Sequence, residues 1–280
     1  MSSNHGLTLG HIPYLNCVPY FRYLAESGFS GTLVSGVPSK LNRLLQQGEL
    51  DISPSSSFEY ARNWQDYQLL PGYSISSLGK VHSVLLFSPV ELAALDGEKI
   101  AITGESATSV NLLRIVLREF EGLRKITDEV PNQPVEELIR QGRPALLIGD
   151  RALHLADNLP DGIQVFDLGE IWYQRTGLPF VFALWMIRRS SLSRFSTELS
   201  DLSSQLQLSL DRVLGAPETA AVEAAEKSLL TPEKIVAYWR SIDYRLTPKH
   251  LEGLQLFFKL CVKHKLLEQE PALDFFRREI

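Results

Sequence analysis

At 280 residues, 44% of them hydrophobic, the chain has room for two domains with well-formed cores. A formal net charge of −5 offers no surplus of Lys and Arg to displace counterions, which argues against a nucleic-acid backbone as partner. A small anionic ligand stays possible, because it answers to a local field and not to the global charge.

The stretch from Met1 to Gly10 has no basic segment followed by an apolar one, so no secretory leader is expected. Leu7 to Ile12 reads as a strand, followed by Tyr14-Leu-Asn16 ahead of Pro19. Cys17 lacks the apolar core that precedes a lipid-anchored cysteine, and Cys17 with Cys261 makes no disulfide framework. Pro38 to Gly48 predicts a helix, with Pro at its start, Leu41, Leu44 and Leu45 on one face and Gly48 as its stop. Leu50 to Ser53 is a short strand running into Pro54-Ser-Ser-Ser57. Val81 to Phe87 is apolar enough for a buried strand, in which alternation sets Ser83 opposite to His82.

Lys99 to Ser109 leads straight into Val110 to Phe120, which reads as a short β-branched strand, a Gly turn and hydroxyls at the mouth of an amphipathic helix. A helix start offers unpaired N–H groups and the positive end of the macrodipole. Ser106, Thr108 and Ser109 there outline a socket for a carboxylate or phosphate. Simple N-capping accounts for one of these hydroxyls and leaves the other two. A helix from Pro134 to Gln141, a strand from Ala145 to Ile148, a helix from Asp150 and a strand from Ile163 to Phe166 continue the alternation. Such alternation predicts βαβ units and a mostly parallel sheet. Pro179 to Ile187 is the most apolar run and is too short to span a bilayer, so a soluble, cytoplasmic protein with no membrane partner is expected. From Ser190 onward the pattern is almost wholly helical, with starts at Ser193-Arg-Phe-Ser-Thr-Glu and at Thr231-Pro-Glu-Lys. Leu251, Leu254, Phe257, Phe258 and Cys261 recur at helical spacing as a core face, which makes Cys261 a small buried hydrophobe.

Two segments echo each other. Leu44 to Ser53 and Leu138 to Gly149 each give an apolar pair, a polar pair ending in Gln, a Gly stop and an apolar strand ending in small residues. Ligands in α/β sheets sit beyond the carboxyl ends of strands, so two such units suggest two similar lobes facing one cleft. A common grammar of helix stops produces the same pattern. The histidines are dispersed, and no Gly-x-Ser-x-Gly elbow, phosphate loop or dinucleotide fingerprint occurs, so neither a metal nor a cofactor is expected. What remains is a set of neutral polar residues: Asn16, Ser55, Ser56, Ser57 and Ser83. Each alone is a turn or cap residue. Together they describe a cleft that suits a ligand bringing its own charge.

Six segments, taken in order, resemble one family: Ile12 to Pro19 with Asn16, Gly48 to Ser56, Val81 to Val84, Ser106 to Ser109, Ile148 to Asp150, and Trp172 to Phe180 with Trp185. The family is the chorismate dehydratases of the futalosine route to menaquinone, and the resemblance runs from about residue 10 to Arg188. It implies an α/β, two-lobed fold like the type II periplasmic binding proteins, with a cleft between the lobes and a helical C-terminal third. Lobe one would comprise residues 1–86 plus 189–280 and lobe two residues 87–188, with hinge crossovers near Phe87 and Arg188. The implied activity is a lyase reaction on a small dicarboxylate, chorismate, giving 3-[(1-carboxyvinyl)oxy]benzoate. Asn16 and Ser83 would be catalytic, and Ser56, Ser106, Thr108, Ser109, Gly149 and Asp150 would bind substrate. The sister enzyme that releases 1,4-dihydroxy-6-naphthoate shares the fold but uses a His where the strand Ala145 to Ile148 ends, and this chain has Gly149-Asp150 there. Asp150 reads either as a base or as the N-cap of the next helix. A carboxylate-binding protein without catalysis is the remaining alternative.

Overall fold

The computed structural model describes residues 6–277. Met1 to His5, on which part of the leader expectation falls, lie outside the described residues. The strands are β1 (Thr8–His11), β2 (Thr32–Ser35), β3 (Ile52–Ser56), β4 (Tyr67–Ser77), β5 (Val84–Ser88), β6 (Lys99–Ile102), β7 (Thr127–Glu129), β8 (Ala145–Ile148), β9 (Gln164–Asp167), β10 (Phe180–Arg188) and β11 (Asp243–Arg245). The first helices are α1 (Val18–Phe21), α2 (Pro38–Gln47), α3 (Ser57–Asn63), α4 (Ala107–Ile115), α5 (Val135–Arg140) and α6 (Gly149–Asp157). They are followed by α7 (Leu168–Thr176), α8 (Ser196–Gly215), α9 (Pro217–Ala225), α10 (Pro232–Ser241) and α11 (Pro248–Lys263). Among the described residues no helix is long and apolar enough to cross a membrane.

The strands form a six-stranded sheet, β11-β4-β10-β3-β1-β2, and a five-stranded sheet, β7-β6-β8-β5-β9. Both are mixed, which corrects the expectation of a mostly parallel sheet. Strand β1 runs parallel to β2 and β3, and β6 runs parallel to β7 and β8. The antiparallel members include the strands by which the chain changes sheets. Strand β5, the first of the smaller sheet, runs against β8 and β9, and β10, the return to the larger sheet, runs against β3 and β4. The passages lie at residues 78–83 and 168–179, ahead of the crossings expected near Phe87 and Arg188.

The echoed segments become one unit per sheet. Helix α2 stops at Gly48 (φ 81°) and leads into β3, and α5 stops beside Gly142 (φ 79°) and leads into β8. In each, the amide after the glycine reaches back to close the last turn: Glu49 N–H to Leu44 O at 2.9 Å and Arg143 N–H to Leu138 O at 2.9 Å. A positive φ suits glycine, which has no Cβ to collide with the carbonyl. The smaller sheet is buried on both faces. Val84 and Leu86 of β5 join the main core that also holds Trp172, Trp185 and Trp239, and the alternate residues Leu85 and Phe87 join a second cluster with Leu138, Leu147 and Leu155. That period of two is what a strand covered on each side requires.

Candidate active site

The carboxyl ends of β1, β3, β6 and β8 converge, and each is followed by a turn or helix start. After β1 the chain forms a 3-10 turn over Leu15–Cys17, with Asn16 at its middle. This turn is held by neighbours on several sides: Trp239 Nε1–H donates to Leu15 O at 2.7 Å, Leu15 N–H donates to Asp150 Oδ1 at 3.1 Å, and the Tyr14 hydroxyl donates to Glu105 Oε2 at 2.9 Å. Ser56 ends β3 and caps α3, its Oγ accepting from Glu59 N–H at 3.2 Å. Ser106 caps α4, accepting from Ser109 N–H at 3.3 Å and from Ser109 Oγ at 3.1 Å. Each serine thus keeps its own hydroxyl proton for another partner.

Beyond β8, Gly149 opens α6 with a φ of 65°. A Cβ built there would make ordinary contact with the Tyr14 ring at 3.4 Å, so it is the backbone conformation that favours glycine. The register Val84↔Ile148 carries one residue further, and Gly149 N–H donates to Ser83 O at 2.8 Å. Ser83 nevertheless lies in the bend just ahead of β5 and not in the strand itself, and the alternation expected of it against His82 does not apply. His82 takes a φ of 61°, and the Asp167 carboxylate accepts from Val81 N–H at 3.0 Å and His82 N–H at 2.7 Å to shape that turn. Burial pushes the Asp167 carboxyl up, and these amides pull against it.

Asn16, Ser56, Ser83, Ser106, Ser109 and Gly149 line one cavity of about 70 Å³, the rest of its wall including Ile12, Ile75, Val81 and Phe182. No Asp, Glu, Lys, Arg or His lines it among the described residues. Cys17 reaches the wall, but burial raises its thiol far above the usual range, which removes it as a nucleophile. Helices α4 and α6 both begin at the cavity, so first-turn amides and the positive ends of two helix dipoles bias it toward an anion. Asn16 Oδ1 is buried without a hydrogen-bond partner among the described residues.

Two expected substrate contacts lie off the cavity. Thr108 is fully buried between α4 and α3: its Oγ1 accepts from Phe58 N–H at 2.9 Å and lies 3.3 Å from Ser57 Oγ. Ser57 donates its only proton to Val181 O at 2.8 Å, which leaves Thr108 as donor to Ser57. Thr108→Val is expected to cost about 1–3 kcal/mol, by stranding a buried amide, and to keep KM within about twofold. Urea unfolding and steady-state kinetics check both halves.

Asp150 is neither the cap of α6, whose N-cap is Ile148, nor a wall residue, because it turns to Leu15. Burial pushes its carboxyl up to about 6, against the Leu15 N–H that pulls it down. A carboxyl protonated more readily in the folded chain than in the unfolded one favours folding while neutral. That contribution is present in acid and is lost as pH rises through about 6. Asp150→Asn keeps an acceptor for Leu15 and removes the charge. Its Tm is expected to exceed that of the parent by about 2–4 °C above neutral pH, with the gap closing in acid. Melting curves across that range test it, and a pH-independent gap contradicts it.

Tyr238 has no sequence signal of its own, and Tyr14 enters the sequence reading only as part of Tyr14-Leu-Asn16, yet both belong here. Tyr238 sits in the apolar pattern of α10 beside Ile235 and Trp239 and reads as core, although its hydroxyl donates to Ser83 Oγ at 2.8 Å. Tyr14 lines the cavity, and burial together with Glu105 raises its phenol.

A family profile described as menaquinone biosynthesis matches residues 7–263. A chorismate dehydratase of Thermus thermophilus is 37% identical over 197 residues, which cover 65% of this chain and 70% of that protein. A 1,4-dihydroxy-6-naphtoate synthase of the same organism is 28% identical over 204 residues, covering 72% of this chain and 65% of that protein. Among solved structures, the alkanesulfonate-binding protein of Xanthomonas axonopodis bound to MOPS superposes with a TM-score of 0.73 at 16% identity, covering 98% of this chain and 97% of that one. At that identity the likeness is one of fold, and the two-sheet α/β architecture is that of the periplasmic binding proteins. The profile match runs from β1 to the end of α11 and takes in every element that walls the cavity: the chain belongs to the menaquinone biosynthesis family.

Proposed function

We propose that this protein is a cytoplasmic hydro-lyase of the futalosine route, removing water from chorismate to give 3-[(1-carboxyvinyl)oxy]benzoate. The observation that carries the reading is the cavity wall, which offers hydroxyls, a carboxamide, backbone and apolar side chains, and no charged group. A dicarboxylate brings its own charge to such a wall and meets donors. The more similar of the two named relatives, the chorismate dehydratase, supports the same substrate.

The chemistry suits a site without acids or bases. The proton to be removed lies on the carbon bearing the enolpyruvyl ether, vinylogous to the ring carboxylate, so its loss sends electron density onto that carboxylate as a dienolate. Ser106, with the opening amides of α4 and Ser109 behind it, holds the carboxylate and stabilises the growing charge. Asn16 and Ser83 orient the reacting carbons, with Ser56 and Gly149 completing the wall. A neutral carboxamide is no base near neutral pH, so the substrate's own enolpyruvyl carboxylate takes the proton. Departure of the adjacent hydroxyl then aromatises the ring.

The two sheets serve as the lobes. A cavity of about 70 Å³ is smaller than the roughly 300 Å³ at which ligand pockets begin, so the lobes part to admit substrate and close to exclude water. The naphthoate-releasing reading has less support, since no imidazole lines the cavity among the described residues and Gly149 stands where that reading needs a histidine. Purified protein incubated with chorismate is expected to give a product lighter by one water, with the absorbance of a benzoate. A ligand-induced rise in Tm with no product would make the protein a receptor.

A further inference from the structure

We propose that Tyr238 is a positioning residue for the dehydration: its phenol donates to Ser83 Oγ and so turns the single Ser83 proton toward the departing hydroxyl of the substrate. This rests on the dehydratase reading. A serine hydroxyl has one proton and two lone pairs. The Tyr238 hydroxyl, 2.8 Å from Ser83 Oγ, occupies one lone pair, and Ser83 donates to no group among the described residues. Its backbone is fixed as well, through Gly149 N–H on Ser83 O. Ser83 lines the cavity, so the remaining direction for its proton is inward.

The polarity of this pair is set from behind. Tyr238 is 4% exposed, and burial raises its phenol far above the usual range, which keeps it a neutral donor. The Asn16 carboxamide approaches the same phenol. The next residue on α10, Trp239, fixes the Asn16 turn through Leu15 O. One helix thus supports both residues assigned to the reacting carbons.

The step balances without a further acid. The dienolate expels the neighbouring hydroxyl, the C–O pair leaving on oxygen while the Ser83 O–H hydrogen-bonds to it. That oxygen takes the proton already carried by the enolpyruvyl carboxylate and departs as water, and Ser83 and Tyr238 end as they began.

The test is a double-mutant cycle on chorismate turnover with Tyr238→Phe, Ser83→Ala and both together, alongside Tm. Tyr238→Phe is expected to lower kcat about tenfold with KM within about twofold. The double variant is expected to match Ser83→Ala, because the phenol has nothing to act through once the hydroxyl is gone. With chorismate deuterated at the carbon that loses its proton, the isotope effect on kcat is expected to shrink in both single variants, as hydroxyl departure becomes limiting. Losses that multiply in the double variant, or an unchanged kcat in Tyr238→Phe, overturn the proposal. If Tyr238→Phe does not fold, the isotope effect in Ser83→Ala decides, and an unaltered value overturns it. A parent enzyme that leaves chorismate untouched would instead defeat the dehydratase reading itself.

Discussion

Replacing Asn16 by Ala is expected to lower kcat on chorismate by about 10³-fold or more and to leave a folded protein that still binds the substrate. The two halves come from different atoms. The turn carrying Asn16 is anchored through the backbone of Leu15 and the side chains of Tyr14 and Trp239. Asn16 Oδ1 contributes nothing to that anchoring, since it is buried without a partner among the described residues, and its removal relieves an unmet acceptor. On the proposed reading the binding energy resides mainly in the donors around the carboxylates, which the substitution leaves in place. Rapid-quench turnover measures the first half and a ligand-induced Tm shift the second. A near-normal kcat would take Asn16 out of the reaction.

The second large effect is expected at Ser106. Ser106→Ala removes the hydroxyl that faces the cavity and the cap of α4 at one stroke. Loss of the cap costs about 1 kcal/mol, or about 2–4 °C in Tm. Loss of a donor to a carboxylate that gains charge in the transition state is expected to lower kcat/KM by about 10²-fold. Ser106→Asp separates the two roles. A carboxylate still accepts from Ser109 N–H and restores the Tm, but it repels the anion and leaves activity low. Recovery of activity in Ser106→Asp would show that the socket holds no anion.

Local rules read part of this molecule directly. The start of α2 at Pro38, its stop at Gly48, the extent of β8 and the start of α10 after Thr231 all follow from residues acting on their own neighbours. Strand β4 escaped, because Pro71-Gly72 interrupts it and buried Ser74, Ser76 and Ser77 disguise it, its burial being set by β10 and β11 alongside. At the site, the family resemblance brought Asn16, Ser56, Ser83, Ser106, Ser109 and Gly149 together, as the cavity does, but not the direction of every hydroxyl. Thr108 and Ser109 are adjacent on α4, and only the packing of α4 on α3 decides that Ser109 meets the cavity while Thr108 meets Phe58. The partner of Asp150 is Leu15, 135 residues away, and no spacing rule reaches that far. Tyr238 was hidden because an apolar helix face and a buried hydrogen-bond donor share the same periodicity.

The order of the strands also bears on how the protein comes into being. The smaller sheet uses only β5 to β9, a continuous run of chain, whereas the larger one needs β1 and β11 at nearly opposite ends of the sequence. During synthesis the smaller sheet has all its strands while α10 is still unmade, and pairings between distant segments form slowly. The turn that carries Asn16 emerges first and waits for Trp239 from the last quarter of the chain to fix it. The cleft is thus complete only when the last quarter of the chain has been made, because α10 closes the turn that carries Asn16.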